Sequence, residues 1–144
     1  MAKDSKLEVQ LFYLIEKTHK TVRRYSQEVF YQKGFDITID QWLVLKKISD
    51  TDQITQNELA DALFKDKASI TRILDLLLDK KLISKASGAD KRIYQLALTT
   101  AGKEFVRKIF PLVKELRAKG MEGVTEKEVG QLKSILEKIT SNMT

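Results

Sequence analysis

The chain of 144 residues contains no cysteine and only one histidine. The absence of cysteine excludes disulfides, zinc–thiolate sites and thiol catalysis, and it suits a reducing cytoplasm. One histidine with carboxylates makes a poor transition-metal site. No window approaches eighteen uninterrupted apolar residues, and the first ten residues have no apolar run. We therefore expect a cytoplasmic protein without a membrane span, a signal peptide, a metal or another cofactor.

The chain also lacks the residue sets on which most catalytic sites depend. It has no Cys or His nucleophile–base set, no glycine-rich phosphate loop and no carboxylate pair with evident placement, so we expect no enzyme. Its 26 basic and 20 acidic residues give a net charge of +6. This balance favours an anionic partner only modestly, because a basic surface is often no more than a solubility device.

Hydrophobic spacing predicts two helices in the first fifty residues. Over residues 7–33 apolar side chains recur every three or four positions, and Gly34 is a natural stop. Thr38 or Asp40 can cap the second helix, which ends at a polar stretch over 49–53.

Two further short helices follow, joined by a tight connection. Thr55 and Glu58 have capping-box spacing at the start of the first helix. Asp66 is a favourable N-cap for the second helix, over 66–79. The short connection, with the small Ala60 on the inner side, is typical of a helix-turn-helix.

After Lys81 the hydrophobic period changes from helical to two. Residues 82–87 and 92–99 flank a tip that contains Gly88, and this pattern predicts a β-hairpin. A helix-turn-helix followed at once by a hairpin is a winged helix. The predicted fold is therefore mainly α with a small β-hairpin wing, in a single domain over 1–144.

Two helices are predicted after the wing. The first spans 99–119 and contains the only proline, Pro111, which predicts a kink or a break near Phe110. The second has a capping-box candidate at its start, and its apolar residues from Val129 to Met143 form a seam with heptad-like spacing. Helices with such seams and no sheet to cover them favour a dimer over packing within one chain.

The helix over 66–79 presents small and hydrogen-bonding side chains opposite its apolar stripe. Such a face can enter the major groove of DNA, and a long base at the wing tip can reach the minor groove. The candidate DNA-binding residues are Lys67, Ala68, Ser69, Thr71, Arg72, Asp90, Lys91 and Arg92.

Each of these residues also has an ordinary structural interpretation. Arg72 could form a surface ion pair with Asp75. Lys91 and Arg92 could simply be solvated residues at the tip of a loop. Asp90 could orient a base or serve only as a turn residue. The region 55–92 has eight basic and six acidic residues, so the hypothesis depends on their placement and not on total charge.

Three segments together resemble the MarR/SlyA family of winged-helix transcriptional regulators. They are residues 59–83, Asp90–Arg92 and Leu98–Gly102. The resemblance implies a homodimer with interlocking terminal helices and a small-molecule pocket beside the DNA-binding unit. It also implies Arg92 in the minor groove, Asp90 as its orienting acid, and Ser69, Thr71 and Arg72 on the recognition helix.

The sequence departs from that family at Lys81, where a glycine is usual. A glycine there would end the recognition helix in a left-handed conformation. Lys81 must therefore adopt that conformation at a cost or end the helix differently.

We expect a sequence-specific regulator of transcription, acting as a repressor, that binds double-stranded DNA as a homodimer. A winged helix-turn-helix over 38–99, with recognition helix 66–79 and wing 87–92, would be flanked by a dimerisation region over 1–33 and 105–144. The operator would be a pseudo-palindrome with half-sites about 10–10.5 bp apart. The alternative is a winged-helix module for protein–protein interaction without a DNA role.

A small aromatic or amphipathic effector is expected to release the DNA. Candidate effector-binding residues are His19, Tyr25 and Trp42. Aromatic residues at helical spacing are more often core residues, and a lone histidine is usually structural or solvated.

Overall fold

The computed structural model describes residues 6–88, 90 and 92–144, which form six α-helices and a three-stranded sheet. A 3₁₀ turn, Leu7–Val9, precedes the first helix. The elements are α1 (Leu11–Gln32), α2 (Ile39–Asp50), β1 (Ile54–Thr55), α3 (Gln56–Ala62), α4 (Lys67–Asp79), β2 (Ile83–Ser87), β3 (Tyr94–Leu98), α5 (Thr100–Gly120) and α6 (Glu126–Asn142). This order confirms the predicted fold class. The described chain divides after Pro111 into two compact units.

Side-chain caps fix the starts of the central helices. Thr38 caps α2 in a complete capping box with Gln41, so Thr38 and not Asp40 is the N-cap. Thr55 caps α3 by accepting from the Glu58 amide, but the Glu58 carboxylate accepts from the Thr55 hydroxyl and not from its amide. Only half of that predicted box forms. Asp66 caps α4, as its residue type predicts.

Of the kink or break predicted near Phe110, the break does not occur, because α5 runs from Thr100 to Gly120 as one helix. A proline inside a helix removes one hydrogen bond and costs about 3 kcal/mol or more. The neighbouring Ile109, Leu112 and Val113 are all buried. Burial of each such side chain contributes about 1.5–3 kcal/mol, so their packing offsets the lost bond.

The sheet has a third strand that the hydrophobic pattern did not reveal. β3 lies in the centre and pairs antiparallel with both neighbours, in the order β1–β3–β2. Ile54 of β1 lies opposite Leu96, and Ile83 of β2 lies opposite Leu98. β1 has only two residues, too few to display any periodicity.

The core of the first unit forms where α2, α3 and α4 pack on the sheet. Its fully buried side chains are Phe30, Ile37, Val44, Leu45, Ile54, Leu59, Ile70, Leu74, Leu77, Leu96 and Ile109. By contrast, α1 buries only Phe30, and α6 buries no residue. The apolar seams of these two helices are therefore exposed or half-buried in the single chain.

Three non-glycine residues among the described ones have a positive φ: Gln53, Phe64 and Lys81. This conformation costs an L-residue about 1–2 kcal/mol. Lys81, at φ 61°, takes the left-handed conformation that a glycine would take there. The Lys81 amide donates to the Leu78 carbonyl over 2.9 Å, and the Leu82 amide donates to the Leu77 carbonyl over 3.0 Å. This bond pair is a Schellman motif, so α4 ends in the family's manner despite the lysine.

Thr99 ties the end of α4 to the wing and to α5. Its hydroxyl donates to the Lys81 carbonyl over 2.7 Å, and its oxygen accepts from the Gly102 amide over 3.0 Å. Its own amide donates to the Leu82 carbonyl over 3.1 Å. A Cβ on Gly102 would lie 2.0 Å from the Leu82 carbonyl oxygen. The junction therefore requires glycine at this position.

We predict that Gly102→Ala destabilises the protein by about 1–3 kcal/mol, because the new methyl collides with backbone. This loss opposes the gain of up to about 1 kcal/mol that alanine brings to a helix. Urea unfolding followed by circular dichroism measures the change. Gly130→Ala in α6 is the matched control, since a Cβ there meets nothing within 4 Å. It should stabilise the protein, and an equal gain at Gly102 would contradict the close approach.

Candidate nucleic-acid interface

α4 buries one face and presents the opposite one to solvent. Ile70, Leu74 and Leu77 enter the core at helical spacing, so the helix is amphipathic. The predicted contact residues lie on the other side: Lys67, Ala68, Thr71 and Arg72 are exposed and Ser69 is half-buried. The structure thus brings the five helical candidates together on one face near the amino end.

A hydrogen-bonded network spans the first turn of α4. Asp66 accepts from the Ser69 amide over 2.7 Å and from the Ser69 hydroxyl over 3.1 Å. These two bonds hold the pKa of Asp66 below its ordinary value. The Arg72 guanidinium donates to the same hydroxyl over 3.2 Å. Arg72 therefore lies along the helix, and no ion pair among the described residues joins it to Asp75.

Gln56, the first residue of α3, also reaches this face, although the sequence analysis did not identify it. Its side-chain amide donates to the Thr71 hydroxyl over 2.6 Å, and that hydroxyl donates to the Lys67 carbonyl over 2.9 Å. The first helix of a helix-turn-helix crosses the DNA backbone. Gln56 directly follows the cap Thr55, and this position is the sequence signal that could have identified it.

The wing tip combines the two interpretations offered for Asp90. Its carboxylate accepts from the Arg92 amide over 3.0 Å, which makes it a turn residue. It also accepts from the Arg92 guanidinium over 3.4 Å, which makes it an orienting partner. The backbone bond and then the side-chain bond lower the pKa of Asp90. The Arg92 side chain is 90% exposed, and Lys91 lies outside the described residues.

A cleft of about 150 Å³ separates the wing from the start of α3. It is lined by Thr55, Gln56, Asn57, Arg92, Ile93 and Tyr94. The wing arginine and the residues beside the α3 cap therefore border one concave surface. That surface continues to the exposed face of α4 through the bond between Gln56 and Thr71.

A carboxylate on α2 joins α1 to the turn before the recognition helix. Asp40 Oδ1 lies 2.5 Å from Arg23 Nη2 on α1 and 3.2 Å from Lys65 Nζ in the turn. Burial raises the pKa of Asp40, but the hydrogen bonds and charges of Arg23 and Lys65 outweigh it and hold the pKa below its ordinary value. The sequence marks Asp40 only as a possible cap.

The three effector candidates lie in different surroundings. His19 is exposed on α1, Tyr25 is 43% exposed on the same helix, and Trp42 is buried in α2. Four surface cavities among the described residues, of about 150 to 700 Å³, are lined by other side chains. The assignment of an effector site stays a prediction.

Neither a metal cluster nor a membrane-spanning helix occurs in the part of the chain that the structure describes. No group of three or more His, Asp or Glu side chains there is arranged to hold a metal ion. No described helix combines the length and the apolar character needed to cross a membrane.

Comparison with known proteins gives this arrangement a family. A family model described as MarR family matches residues 35–93. A mutant of MarR from E. coli, solved in complex with operator DNA, is 31% identical to the chain. That match covers 91% of this chain and 94% of the other, with a TM-score of 0.82. The chain belongs to the MarR family.

Two further MarR-family comparisons agree with this assignment. The MepR–DNA complex of S. aureus is 27% identical and has a TM-score of 0.83, covering 95% of this chain and 99% of that one. The HTH-type transcriptional repressor IacR of Pseudomonas putida is 25% identical over 134 residues, which are 92% of this chain and 78% of IacR. The MarR-family chain is accordingly a transcriptional regulator and not an enzyme.

We predict that the ion pairs of Asp40 stabilise the fold in a pH-dependent manner. Because its pKa is lower in the folded protein than in the unfolded chain, this contribution is fully present above the unfolded value. It is lost as the pH falls through that value toward the folded one. Urea unfolding over this range should show a smaller loss of stability for Asp40→Asn than for the unmodified protein.

The partner residue supplies the control for this prediction. Arg23→Gln should destabilise the protein less at acid pH, where Asp40 is protonated, than at pH 7. The coupling between Arg23→Gln and Asp40→Asn in the double variant should be larger at pH 7 than at acid pH. Additive effects at both pH values would contradict a pairing that stabilises the fold.

Proposed function

We propose that this MarR-family regulator is a repressor that binds a pseudo-palindromic operator in double-stranded DNA as a homodimer. α4 enters the major groove, and the wing tip reaches the adjacent minor groove. One observation carries the proposal: the exposed amino-terminal face of α4 and the exposed Arg92 belong to elements that Thr99 ties together. MarR and MepR, which have similar folds, have been solved in complex with DNA, and this supports DNA as the partner.

The side chains on α4 suit major-groove recognition. Ala68 and Ser69 are small enough to let the helix approach the bases closely. Thr71 can bond to a phosphate or a base edge, and Arg72 can form paired bonds with guanine once it leaves the Ser69 hydroxyl. Lys67 adds a positive charge at the helix end where the backbone amides already favour phosphate.

The wing contributes a second, charge-driven contact. Arg92 is a long exposed base, and its bonds to Asp90 restrict the directions that it samples. An arginine aimed in this way can enter a minor groove, where the negative potential is strongest. Lys91, beside it in sequence, belongs to the same proposed contact.

The exposed seams of α1 and α6 support the homodimer. Leu11 and Phe12 on α1 are 57% and 62% exposed, and Leu132 and Ile135 on α6 are 54% and 51% exposed. Apolar side chains repeated along a helix at this exposure indicate a surface that a partner covers. A second copy with the same seams, in the proposed dimerisation region over 1–33 and 105–144, would bury them and pair two recognition helices on one DNA face.

The proposed regulation is release of DNA by a small aromatic or amphipathic effector. The family resemblance supports this step, and His19, Tyr25 and Trp42 are its candidate contacts. An effector that releases the operator would change the spacing of the two recognition helices. For the operator to be released, the effector must bind more tightly to the protein in the spacing that does not fit the operator.

The test is selection of duplexes from random-sequence DNA by the purified protein. Fluorescence anisotropy then compares the selected duplex with a scrambled one at physiological salt. We expect a preference of about a thousandfold or more, as for other specific regulators. Equal weak binding to both duplexes would contradict the proposal and favour a protein-interaction module.

We predict that replacing Arg92 and replacing Arg72 change DNA binding in different ways. Arg92→Ala should weaken binding to all duplexes and lower the salt slope by about one, because one positive charge in the negative potential of the minor groove is lost. Arg72→Ala should weaken operator binding by about 5- to 150-fold and relax preference at one base pair. Anisotropy titrations over a salt series measure both effects.

Lys103→Ala is the control for these variants. Lys103 is an exposed base on α5, outside both the winged unit over 38–99 and the proposed dimerisation region. It should leave operator affinity unchanged. If Arg72→Ala and Arg92→Ala also leave it unchanged, the proposed interface is wrong.

We predict a dimer at micromolar concentration and its loss in Leu132→Glu combined with Ile135→Glu. Charges placed on the α6 seam would have to be desolvated on association, so the variant should be monomeric and bind the operator more weakly. Light scattering gives the mass, and circular dichroism checks that the helices persist. Gln131→Glu adds one negative charge beside the seam and should remain dimeric. A monomeric unmodified protein would contradict the proposal.

A further inference from the structure

Phe64 is an anomaly in the turn between α3 and α4. Its side chain is 94% exposed, more than any other large apolar residue among the described ones. Its φ of 55° lies in the left-handed region, which is rare and unfavourable for a bulky residue. The free protein therefore bears both an exposed ring and a strained backbone at one position.

The turn itself does not require a ring. The Phe64 amide donates to the Asp61 carbonyl over 3.4 Å, and the Lys65 amide donates to the Ala60 carbonyl over 3.0 Å. These backbone bonds form a Schellman motif that a glycine or an asparagine would form with less strain. Local helix termination thus explains the conformation at this position but not the choice of phenylalanine.

The neighbouring residues position the turn beside the recognition helix. The Lys65 ammonium turns back to Asp40 on α2, 3.2 Å away, and anchors the turn to the body of the unit. Phe64 makes no such contact and stays in solvent. Asp66 caps α4 only two residues later, so the Cα of Phe64 lies within about 7.6 Å of the Asp66 Cα. The ring is therefore presented beside the amino end of the recognition helix.

The chemistry around Phe64 favours DNA over an apolar protein surface as the partner that covers the ring. Lys67 is exposed three residues later on the proposed DNA-binding face. In the major groove, the thymine C5-methyl is an apolar group, and phenylalanine is one of the side chains that contact it. Strain and exposure retained at the edge of such a face point to a role in the bound state.

We propose that Phe64 is a specificity-determining residue whose ring packs against a thymine methyl where α4 enters the major groove. This inference depends on the proposed docking of α4 on DNA. It adds an apolar contact, from the turn, to the polar contacts of the helix and the charged contact of the wing. Because the contact is apolar, it discriminates between sequences and leaves the salt dependence unchanged.

The test uses three variants of the full chain and the duplex selected by the unmodified protein. Phe64→Gly and Phe64→Asn remove the ring and tolerate the left-handed conformation, so both should raise the melting temperature. Both should nevertheless weaken operator binding by about 5- to 50-fold, without changing the salt slope or the affinity for scrambled duplex. Phe64→Tyr keeps the ring and should retain affinity within about twofold. Unchanged affinity in the Gly and Asn variants would overturn the inference.

A modified duplex separates the proposed contact from a loosened turn. Replacing thymine by uracil removes only the C5-methyl groups, one position at a time. At one position the unmodified protein should lose affinity and Phe64→Gly should lose none. Equal losses in both proteins at every position, or no loss in either, would overturn the inference.

Fluorescence gives a direct readout of the same contact. A tryptophan introduced by Phe64→Trp would be exposed, whereas the native Trp42 is buried. Its emission should be quenched by the operator and not by the scrambled duplex at equal concentration, and an unchanged emission would overturn the inference. If the unmodified protein shows no preference for any duplex, the proposed function itself fails and the inference fails with it. If the unmodified protein prefers one duplex but the Phe64 variants bind it equally well, the inference is overturned and the proposed function stands.

Discussion

The DNA-binding unit depends on the hydrogen bonds that converge on Thr99. This residue links the end of α4, the start of β2 and the first turn of α5 through three bonds to backbone atoms. A rigid junction is needed because the recognition helix and the wing must contact two different grooves in fixed register. Gly102 permits the junction, since any side chain there would collide with the Leu82 carbonyl.

The free protein already satisfies the polar groups that it would offer to DNA. Ser69 bonds to Asp66 and Arg72, and Thr71 bonds to Gln56. These bonds keep the side chains ordered, but each one that DNA replaces offsets part of the energy gained on binding. A base sequence that replaces every lost protein bond with a bond to DNA is favoured over one that does not. The exchange of protein bonds for DNA bonds therefore contributes more to specificity than to affinity.

Asp40 connects this surface to the helix that carries the proposed dimer contacts. Its carboxylate contacts α1 through Arg23 and the helix-turn-helix turn through Lys65. The three side chains are each about one-third exposed or less, so the pairs are screened less than pairs on the open surface. A displacement of α1 would therefore strain the turn that holds Phe64 and precedes Asp66.

The sequence alone determined the helices, their caps and the wing, because hydrophobic period and capping chemistry act over a few neighbouring residues. Thr38, Asp66 and the exposed face of α4 follow from such local rules. Only the tertiary structure decided what depends on distant residues: the two-residue strand β1, which pairs with β3, the continuation of α5 through Pro111, and the positions of Gln56 and Asp40. Phe64 belongs to this second group. Its exposure is a property of the folded chain, because an apolar residue in a sequence gives no sign of whether packing will cover it.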